Sequence, residues 1–133
     1  SAYATFQEVI DMNRKSPRRY VVQSHAKQAL QFDYKKGDTL AFVEKFNKLL
    51  EDRENRPYLD VLNHQMGIFY DKQGLNQKAK WYYNKSIKSV SQDSYLVSSN
   101  YRNIGEIYFK EAQYKTAGKY YDSTLLRLIE NKK

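Results

Sequence analysis

The sequence predicts an all-α fold in which antiparallel helical hairpins stack into a right-handed solenoid of about seven helices. Three observations lead to this prediction. A pattern of small and aromatic residues recurs at a fixed interval, the apolar residues of each copy have helical spacing, and the turns between them are short. The chain also has only 2 prolines and 5 glycines among its 133 residues, too few for the many tight turns of an all-β fold.

The repeat is clearest in the second half of the chain. The segment GIFYDKQGLNQKAKWYYNKSI, which begins at Gly67, aligns without a gap with GEIYFKEAQYKTAGKYYDSTL, which begins at Gly105. A weaker copy lies upstream of Gly67 at the same interval. A fixed interval of this kind is typical of proteins built from stacked supersecondary units. The corresponding positions of the three copies are Ala29, Gly67 and Gly105, then Phe32, Tyr70 and Tyr108, then Ala41, Ala79 and Ala117.

Each copy has the features of a helical hairpin. A small residue such as Gly67 in the first helix lets the second helix cross closely. An aromatic residue three positions later lies on the same helix face. The second helix begins near an alanine and buries a tyrosine four positions on, at Tyr83 or Tyr121. The first copy has Lys45 at that position, and we expect Phe46 to take the place of the tyrosine.

The prolines and the repeat boundaries place the individual elements within a single domain, 1–133. Ser16-Pro17 and Arg56-Pro57 each fit a helix start, because proline is tolerated in the first turn. We expect 1–15 to be the second half of a truncated hairpin, 17–52 a divergent hairpin, and 57–91 and 94–130 two regular hairpins. The predicted helices span residues 3–14, 18–36, 39–51, 57–73, 75–89, 94–111 and 113–130.

The spacing of these residues resembles the consensus of the tetratricopeptide repeat (TPR). The small residue, the first aromatic, the alanine and the second aromatic all follow one another at the consensus distances. The chain departs from the consensus where Met66 and Ile104 replace the usual leucine, and the usual proline near the repeat end is missing. The interval from Gly67 to Gly105 is longer than the roughly 34 residues of a TPR, and we place the extra residues in 89–94.

Longer strings resemble a more specific family, the gliding-motility and type IX secretion lipoproteins of the SprE/PorW kind found in Bacteroidota. They are the linker KLLEDRENRPYLD at 48–60, the serine-rich loop at 89–94 and the ending YYDSTL at 120–125. The resemblance implies a TPR region within a larger, lipid-anchored outer-membrane protein that faces the periplasm and bridges parts of a secretion or motility machine. A chain without cysteine that starts at Ser1-Ala2 would then be an excised fragment. The alternative location is the cytoplasm.

The charge of the chain is compatible with acidic partners of several kinds. The net charge is +8, from 23 basic and 15 acidic residues, and it is spread along the chain. With 13 tyrosines, such a chain could stack single-stranded nucleic acid, so a nucleic-acid-binding helical-repeat protein is the alternative function. We disfavour it, because most tyrosines occupy core-facing repeat positions. The sequence contains no apolar run of the roughly 18–20 residues that span a bilayer, so contact with a membrane is expected only through a lipid anchor outside the fragment.

The sequence predicts neither an enzyme nor a cofactor or metal site. It has no cysteine, no HExxH motif, no phosphate-binding glycine loop and no nucleophile elbow. The two histidines, His25 and His64, lie on successive first helices and could approach each other, but no further ligand has metal-site spacing. Asp33, Asp71 and Glu106 lie near the ends of first helices without an acid-base partner in the sequence.

The predicted function is a non-catalytic protein-protein interaction scaffold. TPR arrays bind peptides or partner domains in the groove that their first helices line. Of the candidate groove residues Phe109 is singled out, because phenylalanine in an otherwise polar row indicates a partner or a neighbouring hairpin. The candidate groove consists of His64, Ile68, Asp71, Lys72, Arg102, Glu106, Phe109 and Lys110.

Two further surfaces are left open by the sequence. Lys78, Lys85 and Lys88 form a second basic face that could contact an acidic protein or an anionic envelope component, or could be merely solvated. Apolar residues form rows at both ends of the array, in 3–14 and around Leu125. A truncated solenoid lacks the capping repeats that would cover such rows. A dimer through these ends is possible, and we interpret it as a consequence of excision.

Overall fold

The structure, a computed structural model, describes residues 18–89 and 93–131. These residues form an all-helical protein without strands. The predicted helix 3–14 and residues 90–92 of the predicted inter-repeat insertion lie outside the described part of the chain. The described helices are α1 (Arg18–Ala29), α2 (Thr39–Glu51), a 3-10 helix (Arg53–Tyr58), α3 (Leu59–Lys72), α4 (Asn76–Lys88), α5 (Ser94–Lys110) and α6 (Tyr114–Asn131).

The first described helix is shorter than the sequence predicts. It ends at Ala29 rather than at residue 36, and a loop continues to Asp38. Asp33 accounts for this, because its Oδ1 accepts hydrogen bonds from the backbone N–H groups of Lys35 and Lys36 at 2.9 and 3.1 Å. An aspartate that bonds to nearby backbone N–H groups offers the chain an alternative to the helix. Phe32 therefore lies outside a helix, although its spacing in the sequence is helical.

The fourth predicted helix also starts later than expected. Arg56-Pro57 lies inside the 3-10 helix, and α3 begins at Leu59. The side chain of Asp52 accepts the backbone N–H of Glu54 and so caps the 3-10 turn. The 3-10 helix carries the chain from the end of α2 to the start of α3.

The pairs α3–α4 and α5–α6 are antiparallel hairpins with the same turn. Gly74 at φ 75° ends the first turn, and Ala112 at φ 62° occupies the corresponding position of the second. The backbone N–H of Leu75 donates to the Tyr70 carbonyl, and that of Gln113 donates to the Tyr108 carbonyl, at matching places of the two copies. A left-handed residue followed by such a bond is the Schellman C-cap, which satisfies the last carbonyls of a helix.

Close contacts between the helices of each hairpin also repeat. The Ser86 hydroxyl donates to the Asp60 carbonyl at 2.6 Å, and the Thr124 hydroxyl donates to the Ser98 carbonyl at 3.4 Å. The ring of Tyr83 lies directly on Gly67, where an added Cβ would meet Cδ1 of the ring at 2.5 Å. A Cβ on Gly105 would meet the nearest ring atom of Tyr121 at 3.0 Å. Glycine is therefore required by space at position 67, as its place in the repeat predicts.

The first pair of helices is arranged differently. Both α1 and α2 pack against α3, but no Cα of α1 lies within 8 Å of a Cα of α2. Phe42 joins α2 to α3, because its ring stacks on Phe69 with 4.0 Å between centroids, and it also stacks on Phe46 of α2 at 4.6 Å. Phe46 is buried as expected, whereas Lys45 is half-buried. The described part of the predicted hairpin, 18–52, is thus a splayed pair of helices joined by aromatic contacts with α3.

Polar groups join the hairpin α3–α4 to the hairpin α5–α6. Lys80 is buried, donates to Glu111 at 2.9 Å, and lies 4.2 Å from the centroid of the Tyr108 ring. Asn100 on α5 donates to the Ser86 hydroxyl on α4 at 2.7 Å. These contacts fix how one hairpin lies on the next. Among the described helices, none has the length and apolar character needed to cross a membrane.

Candidate functional site

An open cavity of about 590 Å³ runs across the first helices of the hairpins. We call this cavity the groove. The residue just after α1, Leu30, contributes to one edge, α3 contributes the floor near Ile68, and α5 contributes the opposite wall. The groove exists because α3 and α5 contact each other and Tyr83 of α4 reaches the same cavity. Its lining consists of Leu30, Ile68, Asp71, Lys72, Tyr83, Ser99, Arg102, Asn103, Glu106 and Lys110.

The groove contains six of the eight residues that the sequence analysis selected. They lie on two helices, because α3 and α5 occupy equivalent places in successive repeats. The structure does not bring the other two, His64 and Phe109, into the groove. The six that line it are Ile68, Asp71, Lys72, Arg102, Glu106 and Lys110.

His64 is part of a buried polar chain between the hairpins. It is 8% exposed, and its Nδ1 lies 2.6 Å from Oδ1 of Asn100. Because Asn100 also donates to Ser86 and Ser86 donates to the Asp60 carbonyl, the chain connects α3, α4 and α5. The pKa of His64 is lowered from its usual value because burial disfavours the imidazolium. His64 thus supports the position of α5 behind the groove.

Phe109 lies outside the groove, at the end of α5. Its side chain is 54% exposed, and its ring packs edge-on against Tyr114 with 5.0 Å between the centroids. Tyr114 begins α6, so the two rings bracket the turn of the last hairpin. The helical spacing of Phe109 relative to Arg102 and Glu106 suggested one row, but the packing places it beside the turn.

Charged side chains of both signs line the groove. Three cations, Lys72, Arg102 and Lys110, are exposed, and none forms an ion pair within the described residues. Glu106 is likewise exposed and unpaired in this part of the chain. Asp71 accepts a hydrogen bond from the Tyr83 hydroxyl at 2.8 Å. The groove therefore presents three cations and a carboxylate to solvent.

Tyr83 links the groove to the core of the hairpin. The side chain is only 1% exposed, yet its hydroxyl reaches Asp71 at the groove wall. Burial, followed by the charge of Asp71 and the hydrogen bond to it, raises the pKa of Tyr83 well above its usual range. The phenol therefore stays neutral and holds the carboxylate of Asp71 in a fixed orientation.

The candidate groove omitted four residues of the lining. Leu30 contributes although α1 has ended, Tyr83 reaches the groove from α4, and Ser99 and Asn103 lie with Arg102 on α5. The sequence could have indicated Tyr83, because the hydroxyl of a tyrosine with a buried ring usually forms a hydrogen bond. It could not have indicated Leu30, since the position of Leu30 depends on the early end of α1.

The second basic face is partly used by packing on the protein's own aromatic rings. The Lys78 amine lies 5.2 Å from the centroid of Tyr70, and the Lys85 amine lies 4.7 Å from that of Trp81. Lys88 is exposed near the end of α4. Cation-π contacts of this kind stabilise exposed sites by about 0.5–1 kcal/mol each, so two of the three lysines already have a partner.

The described residues do not assemble a metal site. Within 18–89 and 93–131, no group of three or more His, Asp or Glu side chains is placed to hold a metal ion. His25 lies near Lys45 and Arg18, whereas His64 bonds to Asn100.

No protein-family model matches the sequence, and no curated protein matches it either. The function is therefore inferred from the geometry of the groove and from the sequence motifs.

The lowered pKa values of His25 and His64 predict that the protein loses stability in acid. Burial, then the charges of Lys45 and Arg18, lowers the pKa of His25 from 6.5 to about 4, and burial lowers that of His64. Since the unfolded chain binds these protons more readily, the contribution of His25 to stability is present above pH 6.5 and is lost as the pH falls toward 4, and the contribution of His64 is lost in the same direction. We expect the Tm to fall as the pH is lowered through this window, and to fall less steeply in His25→Gln. Equal slopes in the wild type and the variant would contradict this account.

Proposed function

We propose that this protein is a non-catalytic protein-binding scaffold whose hairpins belong to a TPR-like right-handed solenoid. The observation that carries the proposal is the groove, in which one residue beyond α1 and the helices α3 and α5 meet around one open cavity of about 590 Å³. The repeated turns of α3–α4 and α5–α6 and their glycine-tyrosine contacts support the TPR-like arrangement. In this arrangement the groove receives a segment of a partner protein.

The chemistry of the groove favours a polypeptide over a nucleic acid. The cations Lys72, Arg102 and Lys110 stand beside the carboxylates of Asp71 and Glu106. A phosphate backbone is attracted by the cations but repelled by the carboxylates, whereas a peptide with side chains of both signs satisfies them all. One edge of the groove also adds apolar surface for a hydrophobic side chain, from Ile68 and Leu30. The partner segment is accordingly amphipathic and carries charges of both signs, with acidic residues in excess.

The place of the scaffold in a larger assembly is proposed from the sequence motifs. The linker at 48–60, the loop at 89–94 and the ending at 120–125 resemble the SprE/PorW kind of lipoprotein. We accordingly propose that the chain is a portion of an envelope protein, oriented toward the periplasm, that connects components of a secretion or gliding-motility machinery. Its partners are then other proteins of that complex.

A charge reversal in the groove tests the proposed binding mode. A partner is first recovered from envelope extracts with the wild-type chain, identified and purified, and its Kd is then measured by calorimetry. We expect Arg102→Glu to weaken binding at least about tenfold, because a like-charge contact replaces an attractive one. Lys119→Glu is the matched control, since Lys119 is exposed on α6 and lies outside the groove. It should leave the Kd within about twofold of the wild type, well under the tenfold step that about 1.4 kcal/mol represents.

Phe109→Ala provides a second control, because Phe109 packs on Tyr114 beside the turn and not in the groove. This variant should also bind normally. Equal binding by all three variants would contradict the groove assignment and direct attention to the face of Lys78, Lys85 and Lys88. Recovery of nucleic acid in place of protein would contradict the scaffold function itself.

A further inference from the structure

A second cavity, of about 550 Å³, separates α1 from α2. We call it the α1–α2 cavity. Its accessible apolar lining includes Phe32 and Ala41, its polar lining includes Asp33 and Lys45, and the rings of Phe42 and Phe46 at this site are almost wholly buried. The volume lies within the range of about 300–1,000 Å³ that is usual for ligand sites. None of these residues lines the groove, so the α1–α2 cavity is a separate site.

In the other two copies of the repeat, a tyrosine ring occupies the position that corresponds to this cavity. Tyr83 packs against Gly67, and Tyr121 packs against Gly105, and these rings fill the space between the paired helices. Lys45 stands at the position of the first copy that corresponds to Tyr83. Its amine turns to the side-chain oxygen of Gln28 instead of filling the space. The splayed pair α1 and α2 therefore lacks the tyrosine ring that lies between the helices of the other two copies.

The cavity also keeps an acceptor for a phenol hydroxyl. The Tyr83 hydroxyl donates to Oδ2 of Asp71 at 2.8 Å. Asp33 has the corresponding position in the sequence of the first copy, and it lies in the loop that follows α1. Oδ1 of Asp33 is used by the backbone of Lys35 and Lys36, whereas Oδ2 accepts no hydrogen bond from the described residues. The rings of Phe32 and Phe42 already pair edge-to-face with 5.1 Å between centroids, a geometry that another ring can extend.

We propose that the α1–α2 cavity binds a tyrosine side chain of a partner polypeptide. The ring packs against Phe32 and Ala41, and the hydroxyl donates to Asp33. We assign the tyrosine to a polypeptide because Tyr83 and Tyr121, the two equivalent rings in this chain, are held by a protein backbone. This site is additional to the groove, so that a scaffold that uses both engages its partner at two places along the array.

Titration with a capped amino acid tests the site directly. N-acetyl-tyrosinamide is added to the full isotope-labelled chain, and amide shifts are followed by NMR. We expect saturable shifts confined to the part of the chain that lines the cavity, from Gln28 to Phe46. N-acetyl-phenylalaninamide, which lacks the hydroxyl, should bind about tenfold more weakly, since a hydrogen bond to a carboxylate is lost.

Two variants and one control distinguish the cavity from a nonspecific surface. Lys45→Tyr restores the ring of the other copies, and it should abolish binding and raise the Tm. Asp33→Asn should weaken N-acetyl-tyrosinamide about tenfold, because the charged acceptor is lost, while its amide oxygen still supports the turn. Glu51→Gln removes a similar charge from an exposed position of α2 outside the cavity and should change nothing.

Five results would overturn the proposal. The first three are the absence of saturable shifts, equal affinity for the phenylalanine and tyrosine amides, and unchanged binding by both Lys45→Tyr and Asp33→Asn. The fourth is binding that emerges only after Tyr3→Ala and Phe6→Ala, which would assign the cavity to the chain's own N-terminal residues. The fifth is a much lower Kd for p-cresol than for N-acetyl-tyrosinamide, which would assign the cavity to free phenols. Failure of this site leaves the Arg102→Glu test of the groove unaffected.

Discussion

Tyr83→Ala is expected to reduce the free energy of unfolding by about 3–5 kcal/mol, the range for removal of a buried aromatic side chain. The Tyr83 ring is 1% exposed and fills the space above Gly67 between α3 and α4. Its hydroxyl also holds Asp71, so the same change frees a carboxylate of the groove. Urea denaturation followed by circular dichroism measures the loss, with the m-value as a check that the extent of unfolding is unchanged.

The repeat provides a matched control for this prediction. Tyr121 occupies the corresponding position of the last hairpin but is only half-buried. Because less apolar surface is removed from water there, Tyr121→Ala should cost roughly 1–2 kcal/mol. Tyr83→Phe separates the two parts of the Tyr83 effect, since it keeps the ring and removes the bond to Asp71, at a cost of about 1 kcal/mol. Equal losses for Tyr83→Ala and Tyr121→Ala would contradict the difference in packing between the two hairpins.

Gly67→Ala and Gly118→Ala are expected to change stability in opposite directions. A Cβ on Gly67 would lie 2.5 and 2.6 Å from Cδ1 and Cε1 of Tyr83, and that ring is almost wholly buried. Overpacking of this kind costs about 1–3 kcal/mol, which exceeds the gain of about 1 kcal/mol from replacing a helical glycine by alanine.

Gly118 lies on α6, and a Cβ there would meet nothing within 4 Å. Gly118→Ala therefore keeps only the gain in helix propensity and should stabilise the protein by about 0.5–1 kcal/mol. The midpoint of urea denaturation should fall for Gly67→Ala and rise for Gly118→Ala. A rise for both would mean that the Tyr83 ring can move aside, and that the close crossing of α3 and α4 tolerates a side chain at position 67.

The sequence predicts well those features that repeat. Gly67 with Tyr83 and Gly105 with Tyr121 are local pairs within one hairpin, so their spacing alone indicates which faces meet. Four of the six groove residues follow from the same interval, because Ile68 with Glu106 and Lys72 with Lys110 are equivalent positions of the two copies. The interval fails for the other two, since the equivalents of Asp71 and Arg102 are Phe109 and His64, which lie outside the groove. The all-helical class follows from this periodicity as well.

Features that depend on single local interactions were not predictable from the repeat. The early end of α1 results from the turn around Asp33, which overrides the helical spacing of Phe32. His64 is buried because Asn100, which lies in the next hairpin, supplies its partner. Such pairings arise between hairpins, and a pattern that compares one copy with another does not contain them. The position of Phe109 likewise depends on the turn that joins two helices, where its ring packs on that of the first residue of α6.

Site-directed photocrosslinking tests the central claim, that a partner protein lies in the groove. A photoreactive benzoylphenylalanine is introduced in place of Glu106, which lines the groove, or in place of Trp81, which is exposed on α4 outside it. We predict that the purified partner crosslinks to position 106 and not to position 81. Crosslinking at position 81 alone would show that the partner binds the face of α4, and it would contradict the assignment of the groove as the binding site.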